Sequence, residues 1–168
     1  LNANTKFNNP LAGAPVTSNE DIEQLVVTLR KAWGLGLSPI PSVVEILEDN
    51  GVKVFEVKDD DAFSGMSAMV GDIPVIVLNS KDTIKAQRKR FTALHELGHL
   101  LLDLSGFNEK AAEKICHAFA GAFLVPKEPF LKSLGAKRTA VTLKELEIMD
   151  ELYGISVQAI MSRARSLG

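Results

Sequence analysis

The chain has 168 residues, enough for one domain with a real core, and its 46 % apolar and 24 % charged content suits a globular protein. A formal net charge of -2 argues against a dominant nucleic-acid or other polyanion surface. The single cysteine, Cys116, excludes an internal disulfide and fits a reducing cytoplasm, and no apolar stretch reaches the roughly 18 residues that span a bilayer.

The chain starts on Leu1, which reads as a processed or cloned fragment. Residues 1–18 are rich in Asn, Pro, Ala and Gly and read as a flexible lead-in or linker; residues 19–168 read as one domain. "SNEDIEQLVVTLRKAW" has a capping Ser18 or Asn19, acids in its first turn and an apolar face of Ile22, Leu25, Val26 and Leu29, so a helix is expected. "SVVEILEDNG" is a second helix, started by Ser42 or Pro41 and stopped by Asn50-Gly51. Strands follow at 52–57, where apolar and polar residues alternate, at "SGMSAMVG", and at 73–79, a β-branched run. Helical patterns then cover about 82–103, 109–124, 127–134, 142–153 and 156–166. Two helices, a three-stranded meander and more helices make an α+β layout with a small, mostly antiparallel sheet.

All three histidines fall between positions 95 and 117. Residues 95–99 read His-Glu-Leu-Gly-His, an instance of H-E-x-x-H. At about 100° per residue, His95 and His99 share one helix face, and both imidazoles can reach one ion. Glu96 lies beside them, badly placed as a ligand but able to reach a metal-bound water as a base. A core helix with hydrogen-bonded histidines is the plain alternative. The surrounding residues weigh against it: Phe91, Leu94, Leu97, Leu101 and Leu102 make the helix apolar almost all round, so burying Glu96 without a task would be costly. Gly98 costs about 1 kcal/mol inside a helix, which a close approach by a neighbouring element would explain.

A catalytic zinc site usually takes three protein ligands. The next helix offers Glu113 and His117, i and i+4 on one face, with Glu109 nearer its start. Ligand chemistry alone favours His117, but spacing does not decide between it and Glu113.

"RFTALHELGHLLL" followed by "EKICHAFAGAFLVP" resembles the ImmA/IrrE family of bacterial zinc metallo-endopeptidases. The likeness extends from about residue 20 to the C-terminus and includes "FSGMSAMVGDIPVIVLNS" and "YGISVQAIMSRARSLG". It implies a zincin-like fold, zinc held by His95, His99 and Glu113, and Glu96 as the catalytic acid/base. His117 departs from the asparagine common in the family and is left as a group behind the ligands or a substrate contact. The resemblance also implies a DNA-binding repressor of the helix-turn-helix type as the cleaved partner. Some members carry an N-terminal helix-turn-helix domain, and the linker-like start fits a piece of such a fusion. In other zinc peptidases of this general fold a strand near the site pairs with extended substrate, and 73–79 is the strand expected to do so. The competing class is a non-catalytic regulatory module with the same fold and a structural zinc.

Tyr153 is a candidate oxyanion donor, though packing beside Gly154 is the simpler role. "QRKR" (87–90) reads as a solvated first turn, with Arg90 expected to pair with an acid, and Cys116 as a small packed residue. The last two helices resemble a helix-turn-helix in which Arg163 and Arg165 could meet phosphate; an αα-hairpin closing the core is preferred because the chain is not basic. Asp59, Asp60 and Asp61 read as a solvated turn rather than a cation site.

Overall fold

The computed structural model describes residues 6–60, 63–135, 138 and 140–167. Residues 1–5 of the lead-in, and Asp61 with Ala62 in the acidic turn, lie outside the described residues. The elements are α1 (Asn19–Ala32), α2 (Val43–Asp49), β1 (Lys53–Val57), β2 (Gly65–Val70), β3 (Ile73–Asn79), α3 (Ala86–Leu101), α4 (Glu109–Leu124), α5 (Lys127–Leu134), α6 (Leu143–Tyr153) and α7 (Val157–Leu167). This is the expected α+β class, a small sheet packed against helices.

Local signals account for most boundaries. Ser18 closes a capping box with Asp21 at the start of α1, and Thr142 does the same with Glu145 at α6. Ser42 caps α2, Asn108 caps α4, and Gly154 ends α6 in the left-handed conformation. α3 starts at Ala86, about four residues later than its pattern suggests. Asp82, the natural cap for the earlier start, instead reaches Lys58 at 3.0 Å, and residues 82–84 turn.

The sheet differs from an antiparallel meander. Its order is β1-β3-β2, with β1 parallel to β3 and β2 antiparallel to it. β3 takes the centre because its residues suit a position paired on both edges: Pro74, Ile76 and Leu78 are buried on the helical side and Val75 and Val77 continue the apolar run. Gly71 turns the chain between β2 and β3 with φ +60°. β3 therefore has no free edge to offer a substrate; among the described strands β1 and β2 are the edges.

The lead-in is not wholly outside the core. Leu11 and Val16 are buried in it, and Asn9 donates 2.9 Å to the carbonyl of Leu101 at the end of α3.

α4 crosses α3 at Gly98. A Cβ there would meet Cys116 Sγ at 3.2 Å and Phe119 Cδ1 at 3.3 Å, both in fully buried side chains. The helix-interior glycine thus lets α4 lie against the histidine-bearing helix. The far end of α4 is held by two buried arginines. Arg30 of α1 donates to the Phe123 carbonyl, and Arg163 of α7 donates 3.0 Å to the Val125 carbonyl. Both satisfy oxygens that a helix C-terminus leaves open and place positive charge at the negative end of its dipole. Arg163 also forms a two-pronged pair with Glu23 of α1, 2.6 Å between Nη2 and Oε2. Among the described residues Arg30 has no acid partner but also donates to the carbonyls of Gly36 and Ser38, and burial pushes its pKa down to about 10. Arg163, only 5 % exposed, is thus an internal tie rather than a phosphate contact. α6 and α7 join as a hairpin through Gly154. No helix among the described residues is long and apolar enough to cross a membrane.

Two stability outcomes are expected. Gly98→Ala gains about 1 kcal/mol of helix propensity but overpacks a rigid crossing at about 1–3 kcal/mol, so urea melts should show a net loss of about 1 kcal/mol. A more stable variant would mean the crossing has slack. Glu23→Ala strands a buried guanidinium and should cost about 3–5 kcal/mol, against less than about 0.5 kcal/mol for Ala at the exposed Arg165. Equal losses would remove the pair from its structural role.

Candidate metal centre

The middle of α3 and the first half of α4 bring His95, His99 and Glu113 together. His95 Nε2 and His99 Nε2 lie 3.2 Å apart, and each is 3.1 Å from a different oxygen of Glu113. Ligands about 2.0–2.1 Å from one ion at tetrahedral angles stand about 3.3–3.4 Å from one another. The two imidazole nitrogens and the two carboxylate oxygens of Glu113 have neighbouring atoms at nearly that spacing, so this donor set fits a tetrahedral ion on chemistry and on geometry. The side chains grade outward, from 11 % exposed at His95 through 28 % at His99 to 47 % at Glu113, so the group is walled on one side and open on the other. A second trio, His95, Glu113 and His117, has its ligating atoms within 4.8 Å of one another. This trio shares His95 and Glu113 with the first and offers His117 as an alternative third group.

Burial pushes His95 down to about 4, with His117 and His99 adding to the shift and Glu113 opposing it. The ring is therefore neutral at pH 7 and its lone pair is available to a metal. His117 stands at the outer side of the group. Its exposed ring stacks on Phe91 at 5.6 Å and lies 4.5 Å from the ring of His95.

Glu96 is 8 % exposed and one position round the helix from His95. Ser67 of β2 donates to its Oε2 at 2.7 Å. This approach depends on Gly65, where a Cβ would come within 2.6 Å of Thr92 Cγ2 and 3.3 Å of Glu96 Cγ. Ser67 is not among the residues that sequence reasoning singles out. A glycine inside a strand is the available signal, since it often marks close backbone approach.

The remaining candidates sit elsewhere. Tyr153 is buried in the core at the end of α6. Arg90 donates to the carbonyls of Ile40, Pro41 and Tyr153, not to an acid; its Nε would lie 2.8 Å from a Cβ at Gly154, so that glycine serves both the turn and this contact. Within "QRKR", Gln87 reaches Asp150, Arg88 reaches Ser64 and Lys89 reaches Glu56, so the segment has partners inside the fold. Cys116 is fully buried, and its thiol is pushed up to about 12 by burial, then by Glu113 and Glu96; it is a packed thiol, not a thiolate. Asp60 pairs with Lys81 at 2.6 Å.

The propionyl-CoA carboxylase regulator of Cereibacter sphaeroides is 28 % identical across 62 % of this chain, while the chain spans only 26 % of that protein's length. The family model of the IrrE N-terminal-like domain matches residues 47–165, a segment that runs from the end of α2 into α7 and includes the sheet, the histidine helix and α4. With most of its length inside that match, the chain belongs to the IrrE N-terminal-like domain family, Peptidase_M78.

Proposed function

We propose that residues 19–168 act as one zincin-like unit, a zinc-dependent endopeptidase whose target is a protein that regulates transcription. The observation that carries this reading is the cluster of two imidazoles and the Glu113 carboxylate, whose neighbouring ligand atoms are 3.1–3.2 Å apart, with the Ser67-held carboxylate of Glu96 on the histidine helix. His95, His99 and Glu113 hold the ion. A bound zinc would supply Lewis acidity toward water and the scissile carbonyl. Glu96 takes the proton of the attacking water and returns it to the leaving amine. Ser67 occupies Oε2 of Glu96 and so fixes the carboxylate's orientation, leaving Oε1 for that proton. An extended substrate adds to the open edge of β2, the strand that carries Ser67. The peptidase family and a relative named as a regulator support a regulatory target, here a helix-turn-helix repressor cut at one exposed segment. A structural zinc in a non-catalytic module would have no use for a buried, oriented Glu96.

Elemental analysis should find one zinc per chain. Glu113→Ala should lose it and His117→Ala should keep it; the reverse result would move the third ligand to His117. Glu96→Gln should fold, retain zinc and cleave about 10²–10⁴ times more slowly. Unchanged turnover of the true substrate would remove Glu96 from the reaction. Co-expression with repressors, followed by mass spectrometry, should yield one discrete cut in a single partner. Broad digestion of casein-like substrates would contradict the selective reading.

A further inference from the structure

A cavity of about 790 Å³ opens beside the metal centre, between the start of α3, the outer face of α4 and the start of α7. His117 and Phe91, the stacked pair at the outer side of the histidine group, form its wall nearest the site. Its floor is made by Ala118, Gly121 and Ala159, so no large side chain fills it. A Cβ at Gly121 would meet only Arg163 Cδ, at 3.7 Å. The volume lies in the range of ligand clefts, about 300–1,000 Å³.

The charge of this cleft is one-sided although the chain is slightly acidic. Lys85, Arg88 and Lys114 line it and are exposed. Arg163 also lines it but is neutralised by Glu23. The acid among the described lining residues, Asp150, already accepts from Gln87 at 3.1 Å. The first turns of α3 and α7 both border the cleft, and α3 starts at Lys85 without a side-chain cap. Helix N-termini carry partial positive charge, so they add to the three cations.

We infer that this cleft binds the acidic side chains of a peptide whose backbone passes the metal centre, and that Lys85, Arg88 and Lys114 set a preference for Asp or Glu a few residues to one side of the cut bond. The inference rests on the peptidase reading for the identity of its occupant. His117, which lines the cavity, lies 4.5 Å from the ring of His95, so the cavity adjoins the space where a peptide would pass the metal centre. Arg88 already donates 3.0 Å to the Ser64 hydroxyl, an uncharged partner that leaves its positive charge unneutralised, and a carboxylate entering the cleft exchanges water for charge-assisted hydrogen bonds.

The test uses N-acetylated, C-amidated, fluorescein-labelled octapeptides, so that only side chains carry the charge under comparison. One contains two Glu in an Ala/Leu background, one has Gln at the same positions and one has Lys. Each is titrated by fluorescence anisotropy into zinc-loaded Glu96→Gln protein, which consumes it too slowly to disturb a titration. The Glu peptide should bind at least about 10-fold tighter than the Gln peptide, as expected for charge-assisted contacts worth about 1.4 kcal/mol or more. The gap should shrink as salt rises. It should close in the Arg88→Ala/Lys114→Ala double variant and turn in favour of the Lys peptide in Arg88→Glu/Lys114→Glu. Both positions are exposed, and melting curves check that the variants fold. Equal binding of the Glu and Gln peptides, or a gap that survives the double variant, would overturn the inference. Wild-type cleavage is read separately. Cleavage without a binding preference leaves the peptidase and removes the acidic cleft; a preference without cleavage leaves the cleft and removes the peptidase.

Discussion

The candidate site depends on one close crossing. His95 and His99 share a face because of helical spacing, but Glu113 reaches them only if α4 lies almost backbone to backbone on α3. Gly98 makes that possible: any larger residue would meet Cys116 and Phe119, which are fully buried and have nowhere to go. A second glycine, Gly65, performs the same service on the other side, bringing β2 down onto Thr92 and Glu96. The histidine helix is thus approached closely by α4 and by the sheet, each at a position lacking a side chain. One approach delivers the acid beside the histidines and the other delivers the serine that orients Glu96.

What can be read from the sequence follows from the range of the interaction. His95, Glu96 and His99 lie within five residues, so helical periodicity alone shows their arrangement. The caps at Ser18, Ser42 and Thr142 are local in the same way, and Gly98 stands out because glycine is costly where it sits. Glu113 and His117 cannot be separated by spacing, since i and i+4 share a face and only the crossing angle decides which stands between the two imidazoles. Ser67 depends on strand register. The strand order depends on β3 inserting between its two predecessors in the chain, a choice driven by burial on both sides rather than by any turn signal. The lead-in reads as a linker for a related reason: Leu11 and Val16 are isolated apolar residues in a polar segment, without a period, yet they reach the core.

The arginines are the least legible residues. Arg30, Arg90 and Arg163 carry charge, and in a sequence charge suggests surface or polyanion. In the fold all three turn inward and donate to main-chain carbonyls near the ends of helices or in connecting loops. A planar guanidinium with several donors can satisfy two or three such oxygens at once, and each contact compensates part of the cost of burying the cation. Arg90 extends from the histidine helix itself, so α3 is tied to the loop before α2 and to the end of α6.

The Glu23–Arg163 pair joins residues 140 positions apart, and the same guanidinium closes the end of α4. During synthesis the base of this pair is made 140 residues after its acid. Until α7 has left the ribosome, Glu23 has no guanidinium opposite it and the last carbonyls of α4 lack one of their two donors. The helix that presents Glu113 is therefore secured by a segment made well after it, and assembly of the histidine–glutamate group waits on α7.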